Sequence, residues 1–271
     1  MAHELQTKYS NLVLAKMRKT LVTKDNLIFN TRYEGNPVAG AVKVPVRGEI
    51  VVSDYDIAAG IVLQEGTTTY KTITITKDKA VNELIDGYEA AAVPDGLVAD
   101  RLDSAGYGLG KELDADGLRV LAEQGTELED KTALTKSTAY EAVVDAFTKL
   151  SEADATMEGR YIIVKPSVNA LLLKSSDYVK ASNLGQELVN KGIVGQIAGF
   201  NVLISNNMPA EVEFIAGHSD YATRINAWKV PVFIADLNGS STHIGASAVK
   251  GRMVFEHAVT NPAGVLVKKN A

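Results

Sequence analysis

Residues 30–76 constrain this chain most, because they spell a ribbon too long to be stable on its own. Gly35, Asn36 and Pro37 punctuate its entry, and Val38, Val42, Val44 and Val46 then alternate with smaller or polar residues through Arg47, as in a strand with two unlike faces. Residues 66–76 return as a second strand dense in β-branched side chains. Between them, Ser53, Asp54, Asp56 and Gly60 suit a turn or a loosely ordered tip. An isolated two-stranded ribbon is marginal in water and needs a surface to lie on. A remainder of about 220 residues has a radius of gyration of about 17 Å. Fifteen residues of strand extend about 50 Å, so the ribbon overhangs its own body.

Ahead of the ribbon, Leu5, Leu12, Val13, Leu14, Met17, Leu21 and Val22 fall partly at three- and four-residue spacing among basic residues. That pattern fits a short amphipathic helix in a mobile arm, and fits a frayed terminus equally well. Past the ribbon the period changes. Val81, Leu84, Ile85 and Tyr88 stand at i, i+3, i+4 and i+7, which predicts a helix from Asp78. After Pro94 a second helix is predicted from Asp95 to Ala122, with Val98, Leu102, Ala105, Leu109 and Leu113 on one stripe and a length of about 40 Å. Gly106, Gly108, Gly110 and Gly117 weaken it by roughly 1 kcal/mol each relative to Ala, leaving room for a kink near Tyr107.

Thr138 and Glu141 have capping-box spacing for a third helix, whose stripe is Tyr140, Val143, Val144, Phe147 and Leu150. Residues 160–164 form a short continuous apolar run of the kind buried on both sheet faces, and Pro166 opens a further helix. Residues 192–209 read as two strands joined through glycines and closed by an Asn-Asn turn. Strands at 212–216, 230–235, 253–259 and 264–268 follow, with a short helix at 221–228.

The chemistry-bearing patterns each fit a structural role better. The chain of 271 residues has no Cys, which removes disulfides, thiolate metal sites and Cys nucleophiles. Gly106, Gly108 and Gly110 follow no strand, and Gly192, Gly195 and Gly199 lack the Lys-Ser/Thr pair of a phosphate loop. Asp114, Asp116 and Gly117 lack the other ligands of a calcium loop and read as solvated helix surface. His218, Ser219 and Asp220 are sequence neighbours, which seldom aim at one another as a triad requires; Ser219 or Asp220 reads as a helix cap. His243 and His257 have no company for a metal, and Glu127 and Glu129 read as surface charge. No catalytic residue, metal site or cofactor is expected. With 28 Lys+Arg against 33 Asp+Glu the net charge is -5, against non-specific phosphate binding by a basic face. No run approaches the ~20 apolar residues that span a bilayer and no signal-peptide pattern opens the chain, so a cytosolic product without a membrane partner is expected.

Arg160-Tyr161-Ile162-Ile163-Val164-Lys165-Pro166, then Leu171-Leu172, then residues Gly192 through Val202 (GIVGQIAGFNV) and Ser205-Asn206-Asn207-Met208-Pro209 stand in one order. In that order the chain resembles the major capsid proteins of tailed bacteriophages with the Hong Kong 97-type fold. Members commonly show a strand ending in Pro, a helix, and a Gly-x-Ile-x-Gly-Phe-x-Val hairpin closed by a Ser-Asn-x-x-Pro-like turn. Thr72-Ile73-Thr74-Ile75-Thr76, followed by Asp86, Gly87 and Tyr88, is similar to the end of that family's extended loop. The likeness covers nearly the whole chain by element order and residues 160–209 by motif. It implies an α+β fold with an N-terminal arm (1–29), an extended β-hairpin loop (30–76), a peripheral domain with a long spine helix (77–133) to which C-terminal strands (246–271) return, and a mixed axial domain (134–245). The N-terminal region is too short for a built-in scaffolding segment, so a separate scaffolding protein or none is implied, and no insertion domain is evident.

The implied function is a coat protein, not an enzyme, made in the host bacterial cytoplasm and carried in the virion. It would assemble with itself, as hexamers and pentamers, into an icosahedral shell with a portal, around double-stranded DNA held without sequence specificity. An arm and ribbon that bury on neighbours rather than at home agree with this, since such contacts repeated head to tail close into shells and total several thousand Å² per subunit. Residues expected at inter-subunit contacts are Val44, Arg47, Tyr55, Tyr70 and Lys71 in the ribbon and Leu12 and Met17 in the arm. One rival shares the fold: an encapsulin-like nanocompartment, distinguished by its neighbouring genes. The other, an uncharacterised hydrolase, would be a discrete monomer or dimer with a concave polar pocket.

Overall fold

The ribbon forms where valine alternation and β-branching place it. In the computed structural model, which describes residues 18–23, 26–33, 35, 40–47, 50–58, 60–63, 65–92, 97–174, 179–180, 193–239 and 242–270, strands β1 (Ala41–Arg47) and β2 (Thr68–Thr74) pair antiparallel with Val44 opposite Lys71. Directly after comes β3 (Lys77–Asp86), then a short helix α1 (Gly87–Ala92). The helix predicted from Asp78 is thus a strand. Val81 and Ile85 are four apart, a spacing that satisfies both a 3.6-residue and a two-residue period. Leu84, which only the helix would bury, is exposed, whereas Ile85 packs with Ala105 and Val81.

The long helix α2 (Leu97–Gln124) runs unbroken through its four glycines. Its 28 residues span about 42 Å. At Gly117 the missing side chain has a use: a Cβ there would stand 2.8 Å from Cε2 of Phe29. Part of the expected mobile arm is therefore in the core, with Val22, Ile28 and Phe29 buried beside Leu118 and Leu121.

After β4 (Thr126–Glu127), helix α3 (Thr138–Glu152) begins one residue past its cap. The predicted capping box does not form: Ser137 is the N-cap and makes no side-chain cap bond, while the Thr138 hydroxyl accepts from Thr135 N–H at 3.0 Å. β5 (Tyr161–Val164) and α4 (Pro166–Leu173) follow as predicted, then β6 (Val179–Lys180), β7 (Ile193–Ile197) and β8 (Phe200–Ile204). The β7–β8 turn uses left-handed φ at Ala198 (45°) and Gly199 (82°), the two-residue geometry that matches strand twist. β9 (Val212–Gly217) leads to a 3₁₀ turn at Ser219–Tyr221, and β10 (Ala222–Asp236) replaces the helix predicted at 221–228. His218, not Ser219 or Asp220, caps that turn, its Nδ1 accepting from Asp220 N–H at 3.2 Å. β11 (Ala246–Val259) and β12 (Val265–Lys269) complete the chain.

Two sheets organise the body. The seven-stranded sheet has the order β4-β12-β9-β5-β8-β7-β6 and the three-stranded one β10-β11-β3. β5 lies centrally and is buried on both faces, Ile162 and Val164 toward α3 and α4, Tyr161 and Ile163 toward the C-terminal half of α2. That placement explains its unbroken apolar run. The N-terminal half of α2 packs instead on the three-stranded sheet through Val98, Leu102 and Ala105. One helix thus ties both bodies together. β11 returns to β3 and β12 to β4, both within 77–133, with β4 and β12 in the seven-stranded sheet, while β10, from within 134–245, lies in the three-stranded one.

Candidate assembly surface

The root of the ribbon is fixed at home. Val44 (3% exposed) and Ile73 pack on Ile225 and Ala258, on one face of the β10–β11 pair. Lys71 Nζ donates to the carbonyl of Val259 at 2.7 Å, and Glu256 Oε2 accepts from Thr76 N–H (2.9 Å) and Oγ1–H (2.8 Å). Val44, expected to meet a neighbour, therefore belongs to its own core, because alternation turns it toward Ile225 and not outward. The Lys71 ammonium likewise ends on its own chain. Tyr55 (70%) and Tyr70 (64%) are exposed, and Arg47 pairs through its backbone with Thr68. Leu12 and Met17 lie outside the described residues.

Beyond the root the ribbon inverts the usual order of a fold. Ile50, Val51, Val52, Ile57, Ile61, Val62 and Leu63 are all exposed, Ile57 by 95%. A turn at Asp56, whose carbonyl accepts from Gly60 N–H (2.8 Å) and whose carboxylate accepts from Ala58 N–H (2.6 Å), shapes the tip. Seven large apolar side chains left in water on one ribbon point to an interaction surface.

The opposite face of the β10–β11 root carries a buried polar network that sequence reading missed. Asp114 and Asp116 are not solvated helix surface. Asp114 Oδ1 accepts from the backbone N–H of Val22 and Thr23, both at 2.9 Å, and Oδ2 from Asn207 Nδ2 at 3.0 Å. Asp116 Oδ2 meets His257 Nδ1 (2.9 Å) and Lys77 Nζ (2.7 Å), and Lys77 also reaches Glu256 Oε1 at 2.6 Å. Arg224 Nε donates to His257 Nε2 at 3.1 Å, which leaves Nδ1 to carry the ring proton toward Asp116. Burial pushes the Asp116 carboxyl up, but the bonds from His257, Lys77 and Arg119 outweigh it and hold the group well below the usual carboxylate range. For His257 burial is the largest influence and lowers its pKa, with Arg224 and Lys77 adding to the effect and Asp116 opposing it. One network thus holds β3, α2, β10, β11 and residues 22–23 in fixed relation to the ribbon root.

Among the described residues no three His, Asp or Glu side chains gather in metal-binding geometry, and no helix is long and apolar enough to cross a membrane. His218, Ser219 and Asp220 serve a turn rather than aligning as a triad.

The root is held in its own core and the apolar tip outside it, and the sheets and spine helix are those of the Hong Kong 97-type fold. Three solved structures share this architecture: one from Mycobacterium phage Che8 (20% identity, TM-score 0.78, covering 97% of this chain and 96% of that one), the capsid structure of cyanophage P-SCSP1u (15%, 0.79, 98% and 93%) and the mature capsid of bacteriophage PhiM1 (12%, 0.73, 99% and 92%). No curated protein matches the chain by sequence. A family model described as phage capsid protein matches residues 66–267. The chain belongs to the phage capsid protein family, and its role is that of a major, shell-forming capsid protein of the virion.

Proposed function

We propose that this subunit closes, as hexamers and pentamers, into an icosahedral shell around double-stranded DNA, and catalyses no reaction. The apolar ribbon tip carries the reading: its exposed side chains are buried only when a neighbouring copy covers them. Residues 1–29 and 30–76 act as arm and extended loop, the three-stranded sheet with the N-terminal half of α2 as the peripheral body, and the seven-stranded sheet as the axial body. Tyr55, Tyr70 and Arg47 are the ribbon residues proposed at the interface, with Leu12 and Met17 of the arm. A net charge of -5 suits the wall of a DNA container, since a strongly basic lining would trap the polymer during filling. Synthesis in the host cytoplasm, filling through a portal and guidance by a separate scaffolding protein complete the proposal.

Deleting residues 48–65 tests it. The root contacts of Val44, Ile73 and Lys71 lie outside the deletion, so the subunit is expected to fold and to form no shells, as read by electron microscopy and sedimentation. Wild-type shells from that variant refute the ribbon's role.

A further inference from the structure

The backbone of Thr23 stands between two opposite charges. Asp114 Oδ1 accepts from its N–H and from that of Val22, both at 2.9 Å, while Arg224 Nη2 donates to its carbonyl. All three residues are buried. Asp114 is the counter-charge of Arg224: burial lowers the guanidinium pKa, and the Asp114 carboxylate opposes that fall. A buried carboxylate and a buried guanidinium ordinarily bond to each other directly. Here the main chain of residue 23 is wedged between them.

The wedge is one end of a longer chain of bonds. Arg224 Nε donates to His257 Nε2 at 3.1 Å, and His257 Nδ1 meets Asp116 Oδ2 at 2.9 Å. Lys77 Nζ joins Asp116 Oδ2 (2.7 Å) to Glu256 Oε1 (2.6 Å), and Glu256 Oε2 accepts from the N–H and hydroxyl of Thr76. The chain thus starts at the inner end of the arm and finishes two residues past β2, at the ribbon root. The charged groups that face His257 are Asp116 from α2, Arg224 from β10 and Lys77 from β3, and the Phe29 ring lies 4.6 Å from its own.

We infer that Arg224 is a two-position switch between arm and ribbon: with residues 22–23 seated it holds Thr23 and His257, and with them withdrawn it closes on Asp114. Withdrawal without that move would leave a buried carboxylate short of two donors and a buried guanidinium short of an acceptor. Closing on Asp114 takes the Nε–H away from His257. The free Nε2 then takes a proton from solvent and the imidazolium claims Asp116. Lys77 turns wholly to Glu256 and draws its carboxylate off Thr76. Two discrete pairings of one buried cation are what such coupling requires. The switch lies within one subunit and does not depend on shells forming, so it stands or falls apart from the proposed function.

Thr23→Pro in the full chain tests it, because proline removes the N–H that Asp114 holds and leaves every side chain of the relay in place. Hydrogen exchange is followed by mass spectrometry on subunits too dilute to assemble, with fragmentation resolving single amides. The Thr76 amide should exchange about tenfold faster than in the native chain, the effect of one lost charge-assisted hydrogen bond. The amides of Ile162 and Ile163, in the central strand β5, should be unchanged. Arg224→Met removes the switch while Asp114 keeps its backbone donors, so in that background Thr76 should exchange at one rate with and without Thr23→Pro. An unchanged Thr76 rate, equal acceleration in β5, or a difference that persists in Arg224→Met each overturns the switch. Should Thr23→Pro fail to fold, Thr23→Gly loosens the same residue with both its bonds retained, and is read by the same three comparisons with a smaller acceleration expected.

Discussion

Gly106 and Gly117 lie on the same helix and should respond in opposite ways to the same change. A Cβ at Gly106 meets nothing within 4 Å, so Gly106→Ala should stabilise the subunit by about 0.5–1 kcal/mol through backbone entropy alone. At Gly117 the methyl would press on the Phe29 ring at 2.8 Å, and overpacking of that kind costs about 1–3 kcal/mol. Thermal unfolding of the two variants should move the midpoint up for the first and down for the second. The sequence treats all four α2 glycines alike, as weak points, because what distinguishes them is a ring from residue 29 that no local pattern announces. Arg224 is illegible for the same reason: its burial depends on Thr23 and His257, both remote along the chain.

Between elements, the account turns on how strands and helix lock together. β5, α4 and the β7–β8 hairpin are legible because each reports a local rule: a fully buried strand, a proline at a helix start, a two-residue turn. β3 is not, since Val81 and Ile85 fit two periods and only its pairing with β11 decides between them. The network around Asp116 and His257 is likewise beyond sequence reading, its partners being 141 residues apart. It makes a pH prediction. His257 is held neutral, its Nε2 occupied by an Arg224 donor and Lys77 nearby, so its folded pKa lies below its unfolded one. The unfolded state then binds more protons as pH falls, so stability is full above about 6.5 and is lost as pH drops toward the folded value. Asp116, also depressed, adds a second loss that starts near pH 4. Melting temperatures by circular dichroism should fall between pH 7 and 5 in the native chain. In His257→Asn that decline should be absent, whatever the starting stability; an equal decline would show that another group titrates.

For the whole molecule, the economy of the fold is that α2 joins two bodies while the ribbon leaves them both. A single copy buries its seven-stranded sheet on both faces yet holds Ile50, Val51, Val52, Ile57, Ile61, Val62 and Leu63 in water. The overhang was legible from length and alternation, whereas the anchoring of its root through Val44 and Lys71 was not, because that depends on which face of β10 the ribbon meets. The anchored root makes the tip an effective docking element, since a ribbon fixed at one end presents its apolar surface in a set direction and loses less freedom on binding. Electron microscopy of the full-length chain, purified alone and after co-production with its phage's scaffolding protein, tests the claim that the ribbon is completed by a neighbour. Closed shells with six- and five-fold clusters, each ribbon tip lying over the adjacent subunit, are predicted. Discrete monomers at concentrations where capsid subunits assemble, or shells whose ribbon tips fold back on their own chains, would contradict it.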